Sequence, residues 1–281
     1  MYSKIDEAKR FFDSDKFLLD FYNSAIKSFD DSLNSLRLSN FACNIRELLR
    51  EKMAIDAPEQ DILKCSWCKN SYLDDKGKPT RKARIRYYLL SNMNNTDTEK
   101  IFETKIEDIE KEYVSVISKL NKYTHVTRET FYLSNEEIQR QFNEVLDLLI
   151  FIINFINASE KLTLKKIEKF LFNDITKHIY NDYIDSELDI LSTHTRIEDV
   201  SGIEFSIQEI SKNHIFIKGT AVLDVNLQYG SYSEIRRGDG TVFYMNFDLN
   251  FSVKININDL HEKEYKYEPI NTDKFYEIKD V

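Results

Sequence analysis

Val242-Phe243-Tyr244-Met245-Asn246-Phe247-Asp248-Leu249-Asn250-Phe251-Ser252-Val253-Lys254-Ile255-Asn256-Ile257 decides the fold class of this chain. From Phe243 to Ile257 every second residue is apolar, and Tyr244, Asn246, Asp248, Asn250, Ser252, Lys254 and Asn256 stand between them. Successive side chains of a strand point to opposite faces, so this is one long strand with a buried side and a wet side. A strand of that kind belongs to an antiparallel sheet.

Its partner lies just upstream. After Ser211-Lys212-Asn213, the residues Ile215, Ile217, Gly219, Ala221, Leu223, Val225, Leu227 and Tyr229 repeat the same period, and before it Ile203, Phe205 and Ile207 alternate with Glu204, Ser206 and Gln208. The loop from Gly230 to Thr241 joins the two long strands. Pairing Leu223 with Leu249 would set Asp224 against Asp248, and facing like charges destabilise a sheet. Sliding by two residues puts Asn246 opposite Asp224, and that register is expected.

Upstream of Ser192 to Gly202 the period becomes helical. Phe11, Phe12, Leu18, Leu19, Phe21, Tyr22 and Ile26 predict a helix within 4–29, and Leu36, Phe41, Ile45, Leu48 and Leu49 predict another over 33–53. Ala57-Pro58 ends it, a short helix carries Ile62 to Cys68, and Asp74-Asp75-Lys76-Gly77-Lys78-Pro79 forms an exposed loop. Thr80 caps the next helix, and three longer ones fit 98–121, 135–157 and 163–191. The expected architecture is α+β: a helical bundle over residues 1–195, then an antiparallel β domain over 196–281.

Bulk properties narrow the functional classes. The 281 residues are 42% hydrophobic and 31% charged, enough apolar material for a folded core. A net charge of −9 repels nucleic acid as a whole, so contact with RNA or DNA requires a local basic patch. Three cysteines, Cys43, Cys65 and Cys68, form no disulfide framework and fit a reducing compartment. The first residues lack a signal-peptide pattern, and Leu148 to Ile156 is too short to span a membrane. The expectation is a cytoplasmic protein without membrane contact.

The segment Lys76 to Arg86 holds Lys76, Lys78, Arg81, Lys82, Arg84 and Arg86, with Tyr87 and Tyr88 beside them. Cations on one helix face hold phosphates, and aromatic neighbours stack on unpaired bases. A solvated face that neutralises acidic neighbours explains the same residues. Arg46-Glu47-Leu48-Leu49, Ala57-Pro58, Thr80-Arg81 with Arg84-Ile85-Arg86-Tyr87, Lys122 to His125, Gln228-Tyr229-Gly230-Ser231 and Arg236-Arg237-Gly238-Asp239-Gly240 resemble, in that order, the predicted pPIWI-associating nucleases of prokaryotic defence gene neighbourhoods. The resemblance implies a role in antiviral defence, a partner protein from the same operon and a nucleic-acid substrate. The chain departs from that pattern at Glu234, where Asp is expected, and in lacking a Phe-Pro pair after the glycine loop.

Two chemistries suit such an enzyme. HEPN-type bundles cleave RNA with an Arg and a His four to six residues apart, the imidazole moving a proton while the guanidinium steadies the phosphate. Here Lys119 precedes His125 at that spacing, and Arg81, Arg84 or Arg46 would have to supply the guanidinium in space. His178, His194, His214 and His261 lack a partner pattern. Restriction-type sites instead use an Asp and a Glu-x-Lys to hold Mg²⁺, which Glu264-Tyr265-Lys266 or Glu277-Ile278-Lys279 with Asp248 or Asp259 would supply. Cys65-Ser66-Trp67-Cys68 lacks a second ligand pair for zinc, so no metal set is expected and no cofactor beyond Mg²⁺ in the second chemistry.

The loop Gly230 to Gly240 concentrates glycine, and Arg236, Arg237 and Asp239 make it the second ligand-binding candidate, against a plain hairpin connection. The sequence therefore predicts a nucleic-acid-directed effector or accessory, catalytic through His125, Lys119, Arg81 and Arg84. The rival is a non-catalytic sensor or interaction module. A homo-oligomer fits either.

Overall fold

The computed structural model describes residues 2–102, 106–182 and 186–277. Packing divides the chain into two compact units, Met1–Thr163 and Leu164–Val281. The architecture is α+β, with helices first and a four-stranded antiparallel sheet after them.

The first unit opens with α1 (Tyr2–Arg10), α2 (Lys16–Asp30) and α3 (Arg37–Asp56). The expected helix at 4–29 is thus two, and Asp15 starts the second by accepting a 3.0 Å bond from Leu18 N. After α4 (Glu59–Ile62) and a 3₁₀ turn at Asn70–Tyr72 comes α5 (Arg81–Leu90). The helix expected at 98–121 is divided between α6 (Asn95–Ile101) and α7 (Ile106–Ser118), and the short α8 (Asn121–Thr124) and α9 (Arg128–Phe131) follow. The next two expected helices are one, α10 (Asn135–Asp182). Its polar stretch Asn157 to Lys161 suggests a break, but that stretch holds neither Gly nor Pro, and the helix runs through it. Phe142 of α10 stacks on Phe29 of α2 at 3.8 Å and meets Phe41 of α3 at 4.6 Å, an aromatic centre that fixes these helices.

The second unit takes α10 from Leu164 onward, α11 (Ser186–Asp189) and strands β1 (His194–Ile210), β2 (His214–Tyr229), β3 (Thr241–Asn256) and β4 (Lys263–Tyr267), hydrogen-bonded in that order. Asp224 pairs with Asn246 and Leu223 with Phe247, the register that avoids facing carboxylates across β2 and β3. Across β1, however, Asp224 faces Asp199 at a register shift. Ile167, Leu171, Ile175 and Ile179 make a fully buried stripe on α10, and Ile215, Leu223, Leu227, Leu249 and Ile255 are as deeply buried in the sheet. Each such side chain contributes about 1.5–3 kcal/mol of transfer free energy. Glu168 accepts from Ile207 N at 3.1 Å on one edge strand, and Asp174 binds Lys263 at 2.9 Å on the other.

The 230–241 connection is more than a loop. It folds into α12 (Tyr232–Arg237), with Ser231 and Glu234 forming a reciprocal capping box and Gly238 closing the helix at φ 82°. A last helix, α13 (Asp273–Glu277), ends the described chain.

Candidate nucleic-acid interface

The cationic segment begins in a tight turn. Asp74 Oδ1 accepts from the backbone N–H of Lys76 and of Lys78, both at 2.9 Å, and Gly77 supplies the positive φ of 73° the turn needs. The Lys78 and Lys76 bonds hold the Asp74 carboxyl below its ordinary range. Thr80 then caps α5, accepting from Ala83 N at 3.3 Å and donating to Tyr72 O at 3.0 Å. The turn leaves Lys76 and Lys78 exposed.

On α5 the remaining cations separate, because residues advance about 100° each around a helix. Lys82 and Arg86 turn inward, onto a fully buried carboxylate: Glu110 of α7 lies 3.3 Å from Arg86 Nη1 and 3.2 Å from Lys82 Nζ. Arg86, 4% exposed, also donates to Tyr72 Oη at 2.9 Å and Asn95 Oδ1 at 2.7 Å, and its guanidinium lies 4.9 Å from the Trp67 ring centre. Both Arg86 Nη atoms are thus bonded inside the unit, while its Nε has no hydrogen-bond partner among the described residues. Lys82 keeps partial exposure but is held over the Tyr72 ring at 4.7 Å.

Arg81 and Arg84 face a different space. With Arg46 and Arg50 of α3 and Lys78 of the turn they line a cleft of about 250 Å³, whose carboxylates are Glu51 and Asp74. Arg46 and Arg50 share a face of α3 at i, i+4, and Arg81 and Arg84 share one of α5 at i, i+3. Arg84 donates to Ala57 O at 2.7 Å, satisfying a carbonyl at the end of α3 and locking the two helices together. Its burial lowers its proton affinity from the ordinary arginine level. Arg50 is paired with Glu47 at 2.8 Å and Glu51 at 2.7 Å, while Arg46 reaches Asn121 Oδ1 at 3.4 Å. Among the described residues Arg81 has no hydrogen bond or ion pair. Tyr113 lines the cleft, and burial keeps its phenol protonated well above the ordinary range.

His125 is exposed and stands elsewhere. The carbonyl before it, Thr124 O, accepts from Ser39 Oγ at 3.1 Å, near the start of α3, whereas Arg84 is bonded at Ala57, past its end. Eighteen residues of helix separate those points by about 27 Å. The structure does not bring His125 to Arg81 and Arg84. Of the cleft arginines, Arg46 reaches α8 by bonding Asn121, four residues before His125. Lys119 is exposed with Nζ 5.9 Å from the Phe151 ring centre.

In the second unit Arg236, Arg237 and Asp239 are exposed on and after α12, with Arg237 Nε donating to Ser233 O at 3.2 Å. Glu234 stands where Asp was expected, and its longer side chain reaches the Ser231 N–H. Glu264-Tyr265-Lys266 lies in β4, opposite Lys254 to Ser252, remote in register from Asp248. Glu277-Ile278-Lys279 runs beyond the described residues. Among the described residues no group of three His, Cys, Asp or Glu is placed to hold a metal ion. Cys65 is buried and burial raises the thiol of Cys68.

Sequence reasoning missed Arg50 and Tyr113 in the cleft. The i, i+4 spacing of Arg46 and Arg50 was the signal available for the first. No helix among the described residues is long and apolar enough to cross a membrane. Residues 9–149 match a family model described as predicted pPIWI-associating nuclease, and residues 157–276 match a second model of the same description. No curated protein and no solved structure matches the chain.

Proposed function

Since the chain belongs to the family of predicted pPIWI-associating nucleases, we propose that it acts on nucleic acid in a prokaryotic antiviral defence system and grips the phosphate backbone in the arginine cleft between α3 and α5. One observation carries this reading. In a chain of net charge −9, five cations and two carboxylates line a single cleft, and Arg81 stands there without a hydrogen-bonding or ionic partner among the described residues. A phosphodiester oxygen supplies the acceptor that a guanidinium in this position lacks. The phenol of Tyr113 in the cleft lining adds a donor.

Cleavage is the family's expected activity. In this reading His125 moves the proton and Arg46 is the cleft guanidinium that reaches α8, through Asn121, with Lys119 in reserve. The separation of His125 from Arg81 and Arg84 favours a second reading, in which the cleft binds and a partner protein of the same operon cuts.

The test replaces Arg46, Arg50 and Arg81 together by Glu. Arg84 is left in place because it closes α3, and Arg86 because a carboxylate there would face Glu110 in the interior. Retention of labelled RNA and DNA at low salt should vanish. In the parent, log K should fall with log salt with a slope of about −2 to −3.5, as three or four phosphates are neutralised. Undiminished retention would reject the cleft. His125→Ala, assayed on RNA with and without EDTA, separates the two readings: lost cleavage supports catalysis by His125, equal cleavage removes it, and EDTA sensitivity points to the carboxylates.

A further inference from the structure

The second unit contains a polar cavity of about 650 Å³ at the paired ends of β1 and β2. Strand pairing builds it. His194 lies opposite Gln228 and Arg196 opposite Asn226, and residues two apart on a strand share a face, so all four side chains line one side of the sheet. Tyr232, the first residue of α12, closes the end with a ring that is 67% exposed. The cavity falls within the usual range of about 300–1,000 Å³ for small-molecule sites.

The hydrogen-bonding capacity of the lining is only partly used. Asn226 Nδ2 donates to Glu198 Oε1 at 3.2 Å, which orients the amide and leaves its Oδ1 available as an acceptor. Gln228, 7% exposed at the floor, donates from Nε2 to Gly230 O at 2.8 Å and likewise keeps Oε1. Among the described residues Arg196 has no hydrogen bond or ion pair, and neither has His194. The carboxylates in the lining are Asp189 and Glu198, and Glu198 is engaged by Asn226. The site thus offers two amide acceptors held by their own donors, one guanidinium that makes no ion pair among the described residues and an exposed aromatic face, beside the carboxylates of Asp189 and Glu198. A planar heterocycle with N–H donors, stacked on a phenol ring, meets the amides and Tyr232. A phosphate meets Arg196.

We propose that this cavity binds a mononucleotide, with its base against Asn226, Gln228 and Tyr232 and its phosphate on Arg196. The proposal does not depend on the arginine cleft, which lies in the other unit and is tested by other residues. Calorimetric titration of the full chain with AMP, GMP, CMP and UMP, and with the matching nucleosides, should find one nucleotide bound more tightly than its nucleoside. Arg196→Ala should weaken that nucleotide at least tenfold and leave the nucleoside unchanged. Asn226→Ala and Tyr232→Ala should weaken both. Circular dichroism confirms that each variant is folded. Absence of binding by all four nucleotides would overturn the proposal, as would equal affinity of parent and the three cavity variants. Inorganic phosphate competing as well as the nucleotide would also overturn it, because the base would then contribute nothing.

Discussion

Removing the Glu110 carboxylate should destabilise the first unit more than any other single change to its charged residues. Glu110 is fully buried and receives Arg86, Lys82 and the Tyr72 hydroxyl, the last at 3.1 Å. In Glu110→Ala, Lys82 swings out to water at small cost, since its side chain is 29% exposed. Arg86 has no such exit: its side chain is 5% exposed and is flanked by Trp67 and Tyr72. Breaking a buried pair by deleting one partner costs about 3–5 kcal/mol. At roughly 2–4 °C per kcal/mol for a unit of this size, the midpoint should fall by about 6–20 °C. Trp67, the single tryptophan of the chain, sits against Arg86, so its fluorescence reports the event where it happens. Replacing Arg86 and Glu110 together by Met removes both charges, and the loss should be well below the sum of the single losses, because no unpaired charge remains. A Glu110→Ala loss under about 1 kcal/mol, or a double variant as costly as that sum, would refute the reasoning, since either places these charges in contact with water.

The same cluster predicts a pH dependence. Burial, against the opposing pull of Arg86, raises the Tyr72 hydroxyl from 10.0 to about 12, so the folded state holds this proton more tightly than the unfolded chain. Its contribution is complete below pH 10 and is lost as pH rises to 12, which denaturation midpoints across that window should follow, with Tyr72→Phe flattening the decline. In the sheet, a Cβ on Gly219 would lie 2.5 Å from Phe251 Cζ, 2.6 Å from Phe205 Cβ and 2.6 Å from Glu204 O. Gly219→Ala should therefore cost the second unit about 1–3 kcal/mol, seen as a lower denaturant midpoint for the β signal, and an unchanged midpoint would contradict that packing.

The β3 strand was legible because one face is apolar without exception from Phe247 to Ile257, and period-2 alternation has one structural solution. The Asp224–Asn246 register was legible because it is the nearest slide that separates two carboxylates. Thr80 was legible as a cap from its place before a helical run. What escaped depended on residues distant in sequence. The inward turn of Arg86 is decided by Glu110, 24 positions later, and local charge counting sees six equivalent cations. The continuity of α10 escaped because a polar stretch was taken for a boundary, although it carries no Gly or Pro to weaken the ladder. The β1–β2 cavity escaped because His194 and Gln228 meet only through pairing.

Helix geometry, more than composition, determines how much positive charge this acidic protein offers a ligand. The residues of α5 that carry cations fall into two sets. One set is neutralised by the buried Glu110 and anchors the helix over Trp67 and Tyr72. The other set, Arg81 and Arg84, is held at the surface by that anchoring, and α3 brings Arg46 and Arg50 to it from more than thirty residues away. A run of basic residues in one segment therefore overstates what the segment exposes and understates what the cleft collects. For this helix the internal ion pairs of Lys82 and Arg86 with Glu110 hold Arg81 in place at the cleft.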